Sequence, residues 1–167
     1  MAVYRWLAPL APLASVLYLA AAACDPQSCT TAGCGTTLQL GIEGPGGSAL
    51  PDSTYEIILD LDGSPYSTVC GSPEPGMFQC EPVEGPPSPQ VTAFATTTGT
   101  ILIEVNADEG QGDGPQQVAL SVIAGDAPLV DESWSVTYET LHPNGEECGP
   151  VCRTATEFLV ATVAPTQ

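Results

Sequence analysis

Apolar side chains recur at every second position in several separate runs of this chain. In "TTLQLGIE" they are Leu38, Leu40 and Ile42. In "TYEIILDLD" they are Tyr55, Ile57, Leu59 and Leu61, with Glu56, Asp60 and Asp62 on the opposite face. Ile101, Ile103 and Val105 alternate with Thr100 and Glu104, and Val118, Leu120 and Val122 align within "QVALSVIA". Trp134, Val136 and Tyr138 alternate with Ser133, Ser135, Thr137 and Glu139. In "TEFLVATV", Phe158 and Val160 face one way, Leu159 and Val163 the other. Side chains of a strand alternate between its two faces, so each run predicts a strand with one buried and one wet face. The intervening "GPGGS", "DGSP", "TTTGT", "ADEGQGDGP", "AGDAP" and "HPNGEECGP" are turn signals. No segment sustains an apolar stripe of helical period. Short strands at near-regular spacing predict two antiparallel sheets packed face to face. The proline-rich stretch 71–90 has room for one short edge strand at most, around Phe78, because proline cannot donate to a central ladder.

The predicted fold class is therefore all-β: a single antiparallel β-sandwich over residues 36–163. It resembles immunoglobulin-like and fibronectin-like domains in general build, without the buried tryptophan between paired cysteines that marks antibody domains. That likeness is one of architecture and implies no function.

Ahead of the strands, Met1 to Arg5 carries one positive charge and Trp6 to Ala23 carries none. Pro9 and Pro12 interrupt the apolar stretch and alanine dominates its second half, which predicts an export signal over 1–23 rather than a membrane span. "AAA" at 21–23 satisfies the small-residue rule for ordinary secretory cleavage. The same residues, followed by Cys24, resemble the lipobox of bacterial prolipoproteins, with Ala21 where that family prefers leucine. The resemblance covers the leader and Cys24 alone. It implies that Cys24 receives a diacylglyceryl group and ties the chain to a membrane. Residues 24–35 then read as a cysteine-bearing tether and 164–167 as a tail.

Cysteine arithmetic bears on the same choice. The chain has seven: Cys24, Cys29, Cys34, Cys70, Cys80, Cys148 and Cys152. With Cys24 lipidated, the remaining six can close three disulfides; with ordinary cleavage, one thiol is left free or pairs between chains. Six cysteines allow fifteen pairings, of which the local set 29–34, 70–80 and 148–152 is preferred.

Charge narrows the partners. The formal net charge is −18, from 20 acids against Arg5 and Arg153 with no lysine. Loss of Arg5 with the leader makes the mature chain more negative still. Such a chain repels nucleic acid and anionic membrane surfaces, since both are bound by clustered Lys or Arg. Cations, basic proteins and neutral glycans remain, and the acids also keep an exported domain soluble.

Four chemistries have candidate residues in this chain. Cys148-Gly-Pro-Val-Cys152 resembles the thioredoxin-like redox motif but has three intervening residues, not two, and no βαβ context, so a structural bridge is the better reading. His142, Cys148 and Cys152 lie within one loop but lack a fourth zinc or copper ligand. Calcium is the more natural ion. Asn106, Asp108, Glu109 and Asp113 lie in a glycine-rich loop, and hairpin connections bring Asp60 and Asp62 to the same end of the fold. The loop does not follow the EF-hand pattern. Catalysis has little to stand on: His142 is the only histidine, and no nucleophile elbow, zincin motif or phosphate loop is present. Tyr55, Tyr66, Tyr138, Trp134 and Phe78 are candidates for a glycan or protein site, though their strand spacing favours the core. The expectation is a non-catalytic, exported and membrane-anchored module of the bacterial cell envelope. It would bind an envelope protein or a polysaccharide, or serve a structural role, with no cofactor. Its site would lie on loops at one end of the sandwich. A calcium-dependent module and a hydrolase are the alternatives.

Overall fold

A computed structural model describes residues 35–74, 77–107, 113–142 and 151–161. Among these residues, ten strands form two five-stranded sheets. The first sheet has the order β5-β6-β1-β10-β9, with β5 at Gln90–Ala95, β6 at Ile101–Ala107, β1 at Thr36–Glu43, β10 at Cys152–Val160 and β9 at Glu139–Leu141. The second has the order β4-β3-β2-β7-β8, with β4 at Met77–Cys80, β3 at Ser64–Glu74, β2 at Tyr55–Leu61, β7 at Gln117–Ala124 and β8 at Ala127–Ser135. The inner faces meet in one apolar core. Leu38, Leu40, Ile42, Ile101, Ile103 and Val105 supply it from one sheet, and Tyr55, Ile57, Leu59, Leu61, Val118, Leu120 and Val122 from the other. These are the residues picked out by the two-residue period. The alternation is thus the physical cause of the stack, since each strand removes one apolar face from water.

Three features depart from the sequence expectation. The sheets are not wholly antiparallel, because β1 and β10 pair in parallel, Thr36 opposite Arg153 through Glu43 opposite Val160. The run at 133–139 is not one strand. Trp134 belongs to β8, Val136 is buried between the sheets and its N–H donates to the Gln116 carbonyl at 2.9 Å, and Glu139 begins β9 in the opposite sheet. The alternation continues because both sheets bury against the same core. Third, the proline-rich stretch is bordered by more strand than expected: β4 is its edge strand, but β3 reaches into it as far as Glu74 and β5 starts at Gln90. Within β10, Leu159 and Ala155 are buried, whereas Phe158 is 62% exposed and lies over Gly41 on the outer face. Val163 lies outside the described residues.

Among the described residues the chain changes sheet four times. The connections are 44–54 (β1 to β2), 81–89 (β4 to β5), 108–116 (β6 to β7) and 136–138 (β8 to β9). The second runs along the flank where β4 and β5 lie side by side. Glu84 and Ser67 exchange backbone hydrogen bonds at 2.8 Å, and the Thr68 hydroxyl donates to the Glu81 carbonyl at 2.8 Å. That strap pairs part of a sheet edge that would otherwise offer itself to other chains.

The two ends of the stack differ. The chain enters it at Thr36, opposite Ala107 of β6. The same end holds the Asp62-Gly63 turn, residues 113–116, Tyr138 and Arg153. At the other end of β1, about 25 Å away for eight extended residues, lie the 44–54 connection and the turn between β5 and β6. Among the described residues no helix is long and apolar enough to cross a membrane.

Candidate ligand-binding cleft

The end opposite Thr36 carries an open cleft of about 490 Å³. Its walls come from Ala49, Leu50 and Asp52 of the first connection, Ser72 of β3, Phe78 and Gln79 of β4, and Ala95 to Gly99 leaving β5. A second hollow of about 330 Å³, lined by Asp52, Ser53, Thr54 and Ser72, shares two of these residues.

Local sequence sets each wall. "TTTGT" closes as a tight turn. The Thr96 N–H donates to the Thr100 carbonyl at 2.8 Å, the Gly99 N–H to the Thr96 carbonyl at 3.0 Å and the Thr100 N–H to Thr96 Oγ1 at 3.0 Å. Gly99 sits at φ +76°, and a Cβ there would meet the Ala49 side chain at 2.7 Å, so the turn needs a residue without one. The Leu50 N–H donates to the Gly99 carbonyl at 2.9 Å and ties the two loops together, while the Leu50 side chain is buried. On the far wall, Phe78 packs edge-on against Tyr55, with centroids 5.8 Å apart and planes at 80°. Cys80, two residues on, is bonded to Cys70. The Tyr55 hydroxyl donates to the Pro51 carbonyl beneath Asp52. Burial, and then the Asp52 carboxylate, raise the Tyr55 phenol above its ordinary range. Among the described residues, Asp52 is the one charged residue of the lining.

Asp60, Asp62, Asn106 and Asp113, the described members of the calcium set, fall at the other end and have structural partners. Asp60 Oδ1 accepts from the Gly63 N–H at 2.7 Å and shapes the β2–β3 turn. Asp62 accepts from the Gln116 N–H at 3.1 Å and the Gln117 N–H at 2.8 Å, fastening the start of β7. Asn106 Oδ1 accepts from the Thr37 hydroxyl at 3.1 Å, and Asp113 pairs with Arg153. Asp108 and Glu109 lie outside the described residues. Among the described residues no three His, Cys, Asp or Glu gather as metal ligands.

Tyr138 stands at this end with its hydroxyl donating to the Pro115 carbonyl at 3.0 Å. Burial, then the Asp62 carboxylate, push its pKa up to about 12.

Of the cysteine pairings, 70–80 is present, with the partners directly opposite in the β3–β4 ladder. Cys152 is disulfide-bonded as well. Cys24, Cys29, Cys34 and Cys148 lie outside the described residues. His142 is exposed just after β9. Of the five aromatics singled out, Tyr55, Tyr66, Tyr138 and Trp134 pack into or against the core; Phe78 does so too, and it also faces the cleft.

The sequence signal for this wall is "TTTGT": beyond marking a turn, three consecutive hydroxyls before a glycine place polar groups on a rigid loop. Compared with protein-family models, curated proteins and solved structures, the chain finds no match.

Proposed function

We propose that this protein is an exported, lipid-anchored and non-catalytic binding module of the bacterial cell envelope. In this reading its two sheets form an immunoglobulin-like β-sandwich that holds the end cleft away from the membrane. The observation that carries it is the opposition of the two ends: the domain begins at Thr36, while the cleft opens beyond the far end of β1. A chain tethered through Cys24 joins the domain at Thr36, so the membrane-side end is the one without the cleft. Loops held on a rigid scaffold are where binding sites concentrate, and two walls of this cleft are such loops, tied to one another. Its volume lies within the ~300–1,000 Å³ common for ligand pockets.

The anchor is tested by intact mass on unreduced chain processed in a bacterial host. The expected mass is that of residues 24–167 plus a diacylglyceryl group, less six hydrogens. Cys24→Ser should move the protein from the membrane fraction to the soluble one. A mass without lipid refutes anchoring. The binding role is tested with the Cys24→Ser chain on isolated envelopes: Thr97→Trp, which fills the cleft from an exposed position, should abolish retention. Equal retention of both chains refutes the cleft as the binding end.

A further inference from the structure

The geometry points to a neutral saccharide as the occupant of the cleft, an inference that rests on the cleft being the binding end. Apart from Asp52, the polar side chains of the lining among the described residues are hydroxyls and one carboxamide: Ser72, Thr96, Thr97, Thr98 and Gln79. A hydroxyl offers one donor and two acceptor sites, and a carboxamide offers both kinds. Such a lining is matched by a ligand whose own groups both donate and accept, which is what the hydroxyls of a sugar do. Among the described residues the lining holds no cation, and Asp52 adds a negative charge, so phosphate, sulfate and uronic-acid ligands are repelled. A carboxylate can instead accept from two sugar hydroxyls in charge-assisted hydrogen bonds. Phe78 supplies an apolar wall of the kind that the C–H face of a pyranose covers, and Leu50 and Ala95 extend it.

The loop is also set in advance. Thr96 and Thr98 share a hydroxyl–hydroxyl bond at 2.7 Å, and backbone bonds close the turn and fix it to Leu50. A ligand that meets preformed donors and acceptors loses little affinity to loop ordering. The adjoining hollow, reached past Asp52 and Ser72, makes room for a further ring.

The test is amide chemical-shift mapping on the ¹⁵N-labelled Cys24→Ser chain. The probes are neutral malto-, cello-, xylo- and chito-oligosaccharides at millimolar concentration, with an oligogalacturonate as the anionic control. At least one neutral probe should shift residues 49–52, 72, 78–79 and 95–99 and leave the 62 and 113–117 end unmoved. Asp52→Asn and Thr97→Val should each weaken it about fivefold, the worth of one hydrogen bond, with the melting temperature unchanged. No shift with any neutral probe overturns the saccharide inference. If the parent chain still loses envelope retention on Thr97→Trp, the cleft itself stands, and protease treatment of the envelopes shows whether its occupant is a protein. Shifts that persist in Thr97→Trp overturn both readings.

Discussion

Joint replacement of Cys70 and Cys80 by alanine tests how β4, and with it one wall of the cleft, is held. The bridge spans a sequence separation of 10. Opening a loop of that size restores chain entropy to the unfolded state worth ~3 kcal/mol near room temperature. The native ladder offers little to offset this. β4 has four residues, pairs with β3 alone, and its register is irregular between Gly71 and Glu74. Cys70 is fully buried, so its truncation also leaves unfilled space in the core. For a domain of this size ~3 kcal/mol corresponds to a fall of ~10–15 °C in melting temperature. Thermal unfolding followed by circular dichroism gives that number. Native-state hydrogen exchange gives the location: the amides of Phe78 and Gln79 should exchange faster than global unfolding requires, while those of β1, β2, β6 and β7 follow the global change. Because Phe78 and Gln79 line the cleft, ligand binding should weaken with them. A melting temperature within ~3 °C of the parent, with β4 exchange unaltered, would show that packing rather than the bridge holds the edge, and the reasoning would be wrong.

Stability should fall in strong alkali, in a window set by Tyr138. Its folded pKa is about 12 against the ordinary 10.0, so its contribution is whole below pH 10 and is lost as pH rises through 12, where the unfolded phenol has already released its proton. Urea midpoints measured across that range should decline, and Tyr138→Phe should flatten the decline in part, since Tyr55 and Tyr66 are also raised. Gly114→Ala should cost more than Gly125→Ala. Both glycines have positive φ, at 73° and 62°, which carries a penalty of ~1–2 kcal/mol for alanine, but only at Gly114 would the new Cβ collide, with Thr36 Cγ2 at 2.5 Å and the Tyr138 hydroxyl at 2.7 Å. Equal denaturation midpoints for the two variants would remove the steric part of that account.

The strands that could be read from the sequence are those whose two faces differ. β1, β2, β6 and β7 each present three or four apolar side chains inward and mostly polar or small ones outward, Ile58, Leu102 and Ile123 excepted, and all four formed where the period placed them. β3 has no such signature because its inward positions are mixed. Tyr66, Thr68 and Cys70 are all buried, and Thr68 is accommodated only through its bond to the Glu81 carbonyl, a partner thirteen residues away. β5 was hidden for the opposite reason, with Val91 and Ala93 turned to the core but Phe94 outward and 40% exposed. In β8, Leu129 and Val130 are both buried beside an irregular register opposite Val122 and Ile123, so the parity of its first half does not match its second. The parallel pairing of β1 with β10 leaves no periodic trace, because it is decided by which distant strands meet. The cleft was equally out of reach. Its walls are brought together from four places in the chain by the Leu50–Gly99 bond and the Cys70–Cys80 bridge.

What fixes these distant contacts is visible in the tyrosines, whose role the alternation alone understated. A chain that changes sheet must carry backbone carbonyls across the ends or flank of the stack, where no ladder is available to satisfy them. Tyr55 donates to the Pro51 carbonyl in the β1–β2 connection. Tyr66 donates to the Ser88 carbonyl at 3.0 Å in the β4–β5 connection. Tyr138 donates to the Pro115 carbonyl in the β6–β7 connection and itself leaves the fourth, between β8 and β9. Each ring is seated in or against the core, so the hydroxyl is presented at a depth set by the packing of the sheets. A phenol serves here where a serine or lysine would not, since it joins a large apolar body to a single donor at its tip. The same burial raises all three phenols, which keeps the donors protonated at any ordinary pH. The crossovers, and the cleft that the first of them helps to build, are in this way determined from the core outward.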